Sequence, residues 1–117
     1  MKLAEGRGAL DAAELVHEKF PKALAEGRCQ RAPDALDPAV AGLSRQHALQ
    51  IFRSQLTSRQ MDRLSRKLQA RGEGFYTIGS SGHEGNAAVA AALRPTDMAF
   101  LHYRSNAFIL HRSAQVE

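Results

Sequence analysis

The chain has 117 residues, which bounds it to one domain with a modest core. Its balance of 44% hydrophobic and 24% charged residues is that of an ordinary globular chain. The lone cysteine, Cys29, excludes an internal disulfide and any two-cysteine metal site, and no run approaches the roughly 18 apolar residues that span a bilayer. The net charge of +4 admits nucleic acid or an acidic ligand, although a solvated surface accounts for it as well. Aromatic residues are few and tryptophan is absent, so the core is expected to rest on Ala, Leu and Phe.

Met1 to Gly8 has no periodicity and reads as a loose tail, with no apolar run of signal-peptide length. Asp11 then caps a predicted helix, with Glu14 in capping-box spacing and Leu15, Val16 and Phe20 as its apolar stripe. Pro21 ends that helix or begins one more turn, which Gly27 stops. Gly27 to Pro38 is a linker, and Asp37-Pro38 opens a short helix as cap and first helical residue. These pieces, residues 1–43, form an N-terminal region of tail, short helices and linker.

Ser44 opens the longest predicted helix, which runs to about Ala70 with Gly72 as its stop. Ala48, Leu49, Ile51, Phe52 and Leu56 make one apolar face and Met61, Leu64 and Leu68 another. The two faces diverge around the axis, so the helix either bends near Thr57-Ser58 or meets different neighbours along its length. Phe75 to Ile78 reads as a short strand, and Gly79-Ser80-Ser81-Gly82 as a turn. Ser81 and Glu84 form a second capping box for a small-residue helix from Gly82 to Leu93, stopped by Arg94-Pro95. Met98 to Leu101 is a second strand-length run, and a last helix from about Ser105 carries Phe108, Ile109 and Leu110.

The residues with the most chemistry lie in the second half. Tyr103 and Arg104 follow an apolar run and precede a helix start, a place that favours anions. A guanidinium fork matches phosphate oxygens, and a phenol adds a donor. His83 and Glu84 could form an acid–base pair, but Glu84 is read as a helix cap and the role of His83 stays open. His102 stands beside Tyr103. His17, His47 and His111 lack metal-ligand spacing and are given no site. Arg59 and Asp62 are spaced to pair on one helix face. Arg45, Arg53, Arg59, Arg63, Arg66, Lys67 and Arg71 make the same helix basic enough for a nucleic-acid module, but Phe52 is its only aromatic residue.

In order and spacing these motifs resemble a known family. Arg59 and Asp62, Gly72, Phe75-Tyr76, Gly82-His83-Glu84-Gly85, Ala91-Ala92-Leu93, Asp97 and Tyr103-Arg104 are similar to the alpha subunit of the thiamine-diphosphate-dependent decarboxylating component of 2-oxoacid dehydrogenases. The branched-chain type is the most similar, through Phe75-Tyr76 and Glu84-Gly85. The resemblance runs from about Ser44 to Leu110. Two departures stand out. Many members carry Gln-Glu-Ala where this chain has His83-Glu84-Gly85, and the family's Gly-Asp-Gly…Asn-Asn motif for diphosphate and magnesium does not occur.

The resemblance implies the N-terminal part, residues 44–117, of a longer enzyme. It implies a mainly α segment with one or two short strands, belonging to an α/β thiamine-diphosphate-binding fold. It also implies an oxidoreductase that decarboxylates a branched-chain 2-oxoacid such as 2-oxoisovalerate and passes the acyl group to a lipoyl carrier. Tyr103 and Arg104 then bind the diphosphate of thiamine diphosphate, and Phe75 and His102 lie near the substrate. The chain itself supplies no metal ligand, and the catalytic residues stay unassigned. Partners are a beta subunit or domain and a lipoyl-bearing acyltransferase, in the cytoplasm, and the segment alone is expected to be inactive. The alternative is a small basic helical module for nucleic acid or an acidic partner, and a third reading is a truncated relic.

Overall fold

A computed structural model describes residues 12–28, 33–75 and 78–116, apart from the side chains of 12–14. The described residues are mainly helical and form no strand. The chain divides into two compact units, Met1–Ala35 and Leu36–Glu117.

The first unit holds helix α1, Ala12–Ala25. Its expected cap, Asp11, lies outside the described residues. Pro21 does not end the helix, as expected from its missing N–H, but sits inside it. The stop comes where expected, at Gly27, whose positive φ of 65° suits glycine and whose N–H reaches the carbonyl of Leu24.

The second unit begins with a 3-10 turn, Pro38–Ala41. Asp37 caps it by accepting from the Ala39 N–H at 2.9 Å, with proline at the first position. Helix α2 follows, Arg45–Ala70. Ser44 Oγ accepts from the His47 N–H at 3.2 Å. At the far end Gly72 turns left-handed (φ 72°), and the N–H groups of Gly72 and Glu73 return to the carbonyls of Gln69 and Leu68, which closes a Schellman motif.

Helix α3, Asn86–Ala92, starts four residues later than the capping-box spacing predicts. Glu84 is not its side-chain cap, because both carboxylate oxygens are committed elsewhere, to Arg59 and to the Gly82 N–H. Helix α4, Asn106–Ser113, begins one residue beyond Ser105. The run Met98–Leu101, predicted as a strand, forms none. No other strand offers it a hydrogen-bonding edge, and Phe100 stands 98% exposed. Of the other predicted strand, Tyr76 and Thr77 lie outside the described residues, while Phe75 and Ile78 are in no strand.

Helices α2, α3 and α4 pack on one another. Ile51, Ala87 and Ala107 form the centre, one residue from each helix, with Leu43 and Ala91 against it. Two alanines at the seam let the helices approach closely, and Phe108 is buried beside them. The buried residues of α2 are Ile51, which belongs to the first expected face, and Ser54 and Ser58, which belong to neither. Leu49, Phe52, Leu56, Met61 and Leu64 are exposed. Helix α2 touches the 3-10 turn, α3 and α4, yet most of its two apolar faces stays exposed.

Candidate functional site

The loop from Gly79 to Glu84 gathers side chains from α2 and from the turn that leads into α4. From α2, Asp62 accepts the N–H of Ser80 at 2.6 Å, and Arg59 Nη1 meets Glu84 Oε1 at 3.0 Å. The second oxygen of Glu84 accepts from the Gly82 N–H at 2.8 Å, a close turn that Gly82 permits with its φ of 89°. From the turn into α4, Arg104 donates through Nε to the carbonyl of Gly79 at 3.0 Å and through Nη2 to that of Ser81 at 2.8 Å. Gly79 is tightly surrounded as well: a Cβ there would lie 3.2 Å from Asp62 Oδ2.

A cleft of about 220 Å³ opens between α2 and α4 beside this loop. Met61, Asp62 and Ser65 line one side, Asn106 and Ile109 the other, and Ile78, Ser80, His102 and Tyr103 complete it. The imidazole of His102 lies against the Tyr103 ring, with centroids 3.7 Å apart. The backbone N–H of His102 donates to Ser105 Oγ at 3.2 Å, which fixes the approach to α4. The Tyr103 residue is 65% exposed, and Asn106 Nδ2 stands 3.7 Å from Met61 Sδ.

Of the residues singled out in the sequence, His102 and Tyr103 line the cleft together. Arg104 stands behind it as the clamp of the loop. Phe75 lies apart from the cleft and is 97% exposed. His83 is exposed, and its N–H serves the turn by donating to the Ser80 carbonyl at 2.8 Å. Arg59 and Asp62, expected as a pair within α2, each reach across to the loop.

Three contributors escaped the sequence reading. Asn106 and Ser80 line the cleft but carry no motif. The third is a buried pair: Ser54 Oγ lies 3.1 Å from His111 Nδ1, joining α2 to α4. Burial, and then the nearby His47, hold the His111 pKa below its ordinary value. A signal for it existed, because His111 falls four residues after Ala107 and three after Phe108, on the buried stripe of α4.

In the cleft Tyr103 offers a hydroxyl and Asn106 an amide, with the Asp62 carboxylate in the same lining. Arg104, with five N–H groups, has two engaged with backbone carbonyls. Among the described residues no group of three or more His, Cys, Asp or Glu side chains could hold a metal ion, and no helix is long and apolar enough to cross a membrane. No family model matches the chain, and neither a curated protein nor a solved structure matches it.

Proposed function

We propose that this chain is the alpha-type, diphosphate-holding part of the decarboxylating component of a 2-oxoacid dehydrogenase, of branched-chain type. The observation that carries the reading is convergence. Residues scattered along the resemblance, Arg59, Asp62, Glu84 and Arg104, all close on the single loop from Gly79 to Glu84, next to the cleft that Tyr103 lines. A run of unrelated motif matches would have no reason to meet at one place.

In this reading Arg104 fixes the loop and adds positive charge behind the cleft, while Tyr103 and Asn106 donate to diphosphate oxygens. His102 orients the Tyr103 ring by lying against it. When bound, thiamine diphosphate supplies the carbanion that attacks the 2-oxo carbon, so that carbon dioxide leaves. The protein's contribution is placement and field. A beta-type partner and the family's Gly-Asp-Gly…Asn-Asn motif, which this sequence lacks, provide the remaining cofactor walls and the magnesium site, and a lipoyl-bearing acyltransferase receives the acyl group in the cytoplasm. The alternative of a basic nucleic-acid helix is weakened by Arg59, whose guanidinium is turned inward to Glu84.

The test is a calorimetric titration of the chain with thiamine diphosphate, in competition with pyrophosphate or with unphosphorylated thiamine. Competition by pyrophosphate and none by thiamine is the expected result. Competition by thiamine alone, or no heat from thiamine diphosphate at millimolar concentration, refutes the reading.

A further inference from the structure

His111 is 3% exposed and is the only titratable side chain among the buried residues described. While Ser54 Oγ gives its one hydroxyl proton to the Gln50 carbonyl at 3.1 Å, it can only accept at its 3.1 Å contact with His111 Nδ1; in that tautomer a second ring proton goes to Nε2.

Among the described residues no carboxylate raises the His111 pKa. From α2 the facing titratable group is His47, whose charge opposes it, and residues 45–61 of α2 contain no Asp or Glu. On α4 the neighbouring charge is Arg112, which lies over the Phe108 ring at 4.6 Å and donates to the Asp97 carbonyl. Helix α3, NAAVAAA, carries no ionisable group. A buried imidazolium without a counter-charge is costly, and the ring escapes that cost only by moving to water. The two helices joined by this pair are the same two whose sides form the cleft, through Met61 and Asp62 on α2 and Asn106 and Ile109 on α4.

We propose that the Ser54–His111 pair is an acid-sensitive latch, released by protonation of His111 at Nε2, which loosens α4 from α2 and opens the cleft they share. Its consequence for ligand binding rests on the reading of the cleft as a diphosphate site; the opening itself does not.

The test follows the full chain by NMR as pH is lowered, without ligand. It reads the His111 ring and the methyl groups of Met61 and Ile109. The expected result is one shared midpoint below the ordinary histidine value, with the methyl movement abolished in His111→Asn, which keeps an N–H for Ser54 but takes no proton. Methyl groups that stay still while the ring titrates overturn the latch. So does a movement that persists in H111N. A second arm titrates pyrophosphate at neutral pH and at pH about 5. Affinity falls about tenfold on the acid side for the wild type and is unchanged in H111N. Failure to bind pyrophosphate at neutral pH removes the diphosphate reading, and the ligand-free opening still decides the latch.

Discussion

Arg59 Nη1 and Glu84 Oε1 meet at 3.0 Å across 25 residues of sequence, and both side chains are mostly withdrawn from solvent. The ion pair ties the middle of α2 to the loop that Arg104 grips from the other side. Partly shielded pairs of this kind exceed the small worth of exposed ones, because solvent screens them less.

Glu84→Gln is therefore expected to destabilise the chain by about 1 kcal/mol. The fragment of loop held by the second carboxylate oxygen would loosen with it. A double-mutant cycle with Arg59→Met, read by chemical denaturation, should return a coupling energy of about 1 kcal/mol. Additive effects would mean the pair contributes nothing to the loop.

Tyr103→Phe separates binding from folding. The residue is largely exposed, so its hydroxyl should matter little to stability, within about 0.5 kcal/mol. A hydrogen bond to a charged phosphate is worth about 1.5–3 kcal/mol, so pyrophosphate affinity should fall by at least about tenfold. Arg104→Ala should instead lower the melting temperature, because it frees the carbonyls of Gly79 and Ser81.

How much of this could be read in the chain depends on range. Caps and stops are local, and Ser44, Asp37-Pro38, Gly27 and Gly72 marked the ends of their helices correctly. The buried face of α2 is not local. Ser54 is buried against His111 of α4 and Ser58 is fully enclosed, whereas Leu49 and Phe52, more apolar, stay exposed. Periodicity ranks faces by apolarity and cannot see which neighbours arrive. The run Met98–Leu101 failed as a strand for the same reason, since a strand needs an edge to pair with. At the site, Tyr103 and His102 were legible from their position before a helix start. Asn106, Ser80 and the Ser54–His111 pair were not, because only the packing of α2 against α4 brings them into play.

Ser54→Ala removes the hydrogen-bond partner of the buried His111 Nδ1. The expected cost is about 1–3 kcal/mol, a loss of roughly 4–8 °C in Tm for each kcal/mol in a domain of this size. Circular dichroism during heating checks it.

Stability should also depend on pH through His111. Its folded pKa lies below the ordinary value of 6.5, so above that value neither state binds the proton and the contribution is whole. As pH falls below about 6.5 the unfolded chain takes up a proton that the fold excludes, and stability declines until the lowered folded pKa is passed. In His111→Asn this part of the decline should vanish; denaturation midpoints measured across the window decide it.

Ala87, fully buried at the seam of α2, α3 and α4, tolerates no enlargement. Ala87→Leu should cost about 1–3 kcal/mol by overpacking, while Ala88→Leu, on the exposed side of α3, should cost little. Equal effects would contradict the packing described.

The most direct measurement of the central claim is a residue-resolved NMR titration of the chain with pyrophosphate. Saturable shifts at Tyr103, Arg104 and Asn106, weakened in Tyr103→Phe, are what the account predicts. No shift at millimolar concentration, or shifts confined to Arg45 and Arg53 on the far part of α2, would contradict it.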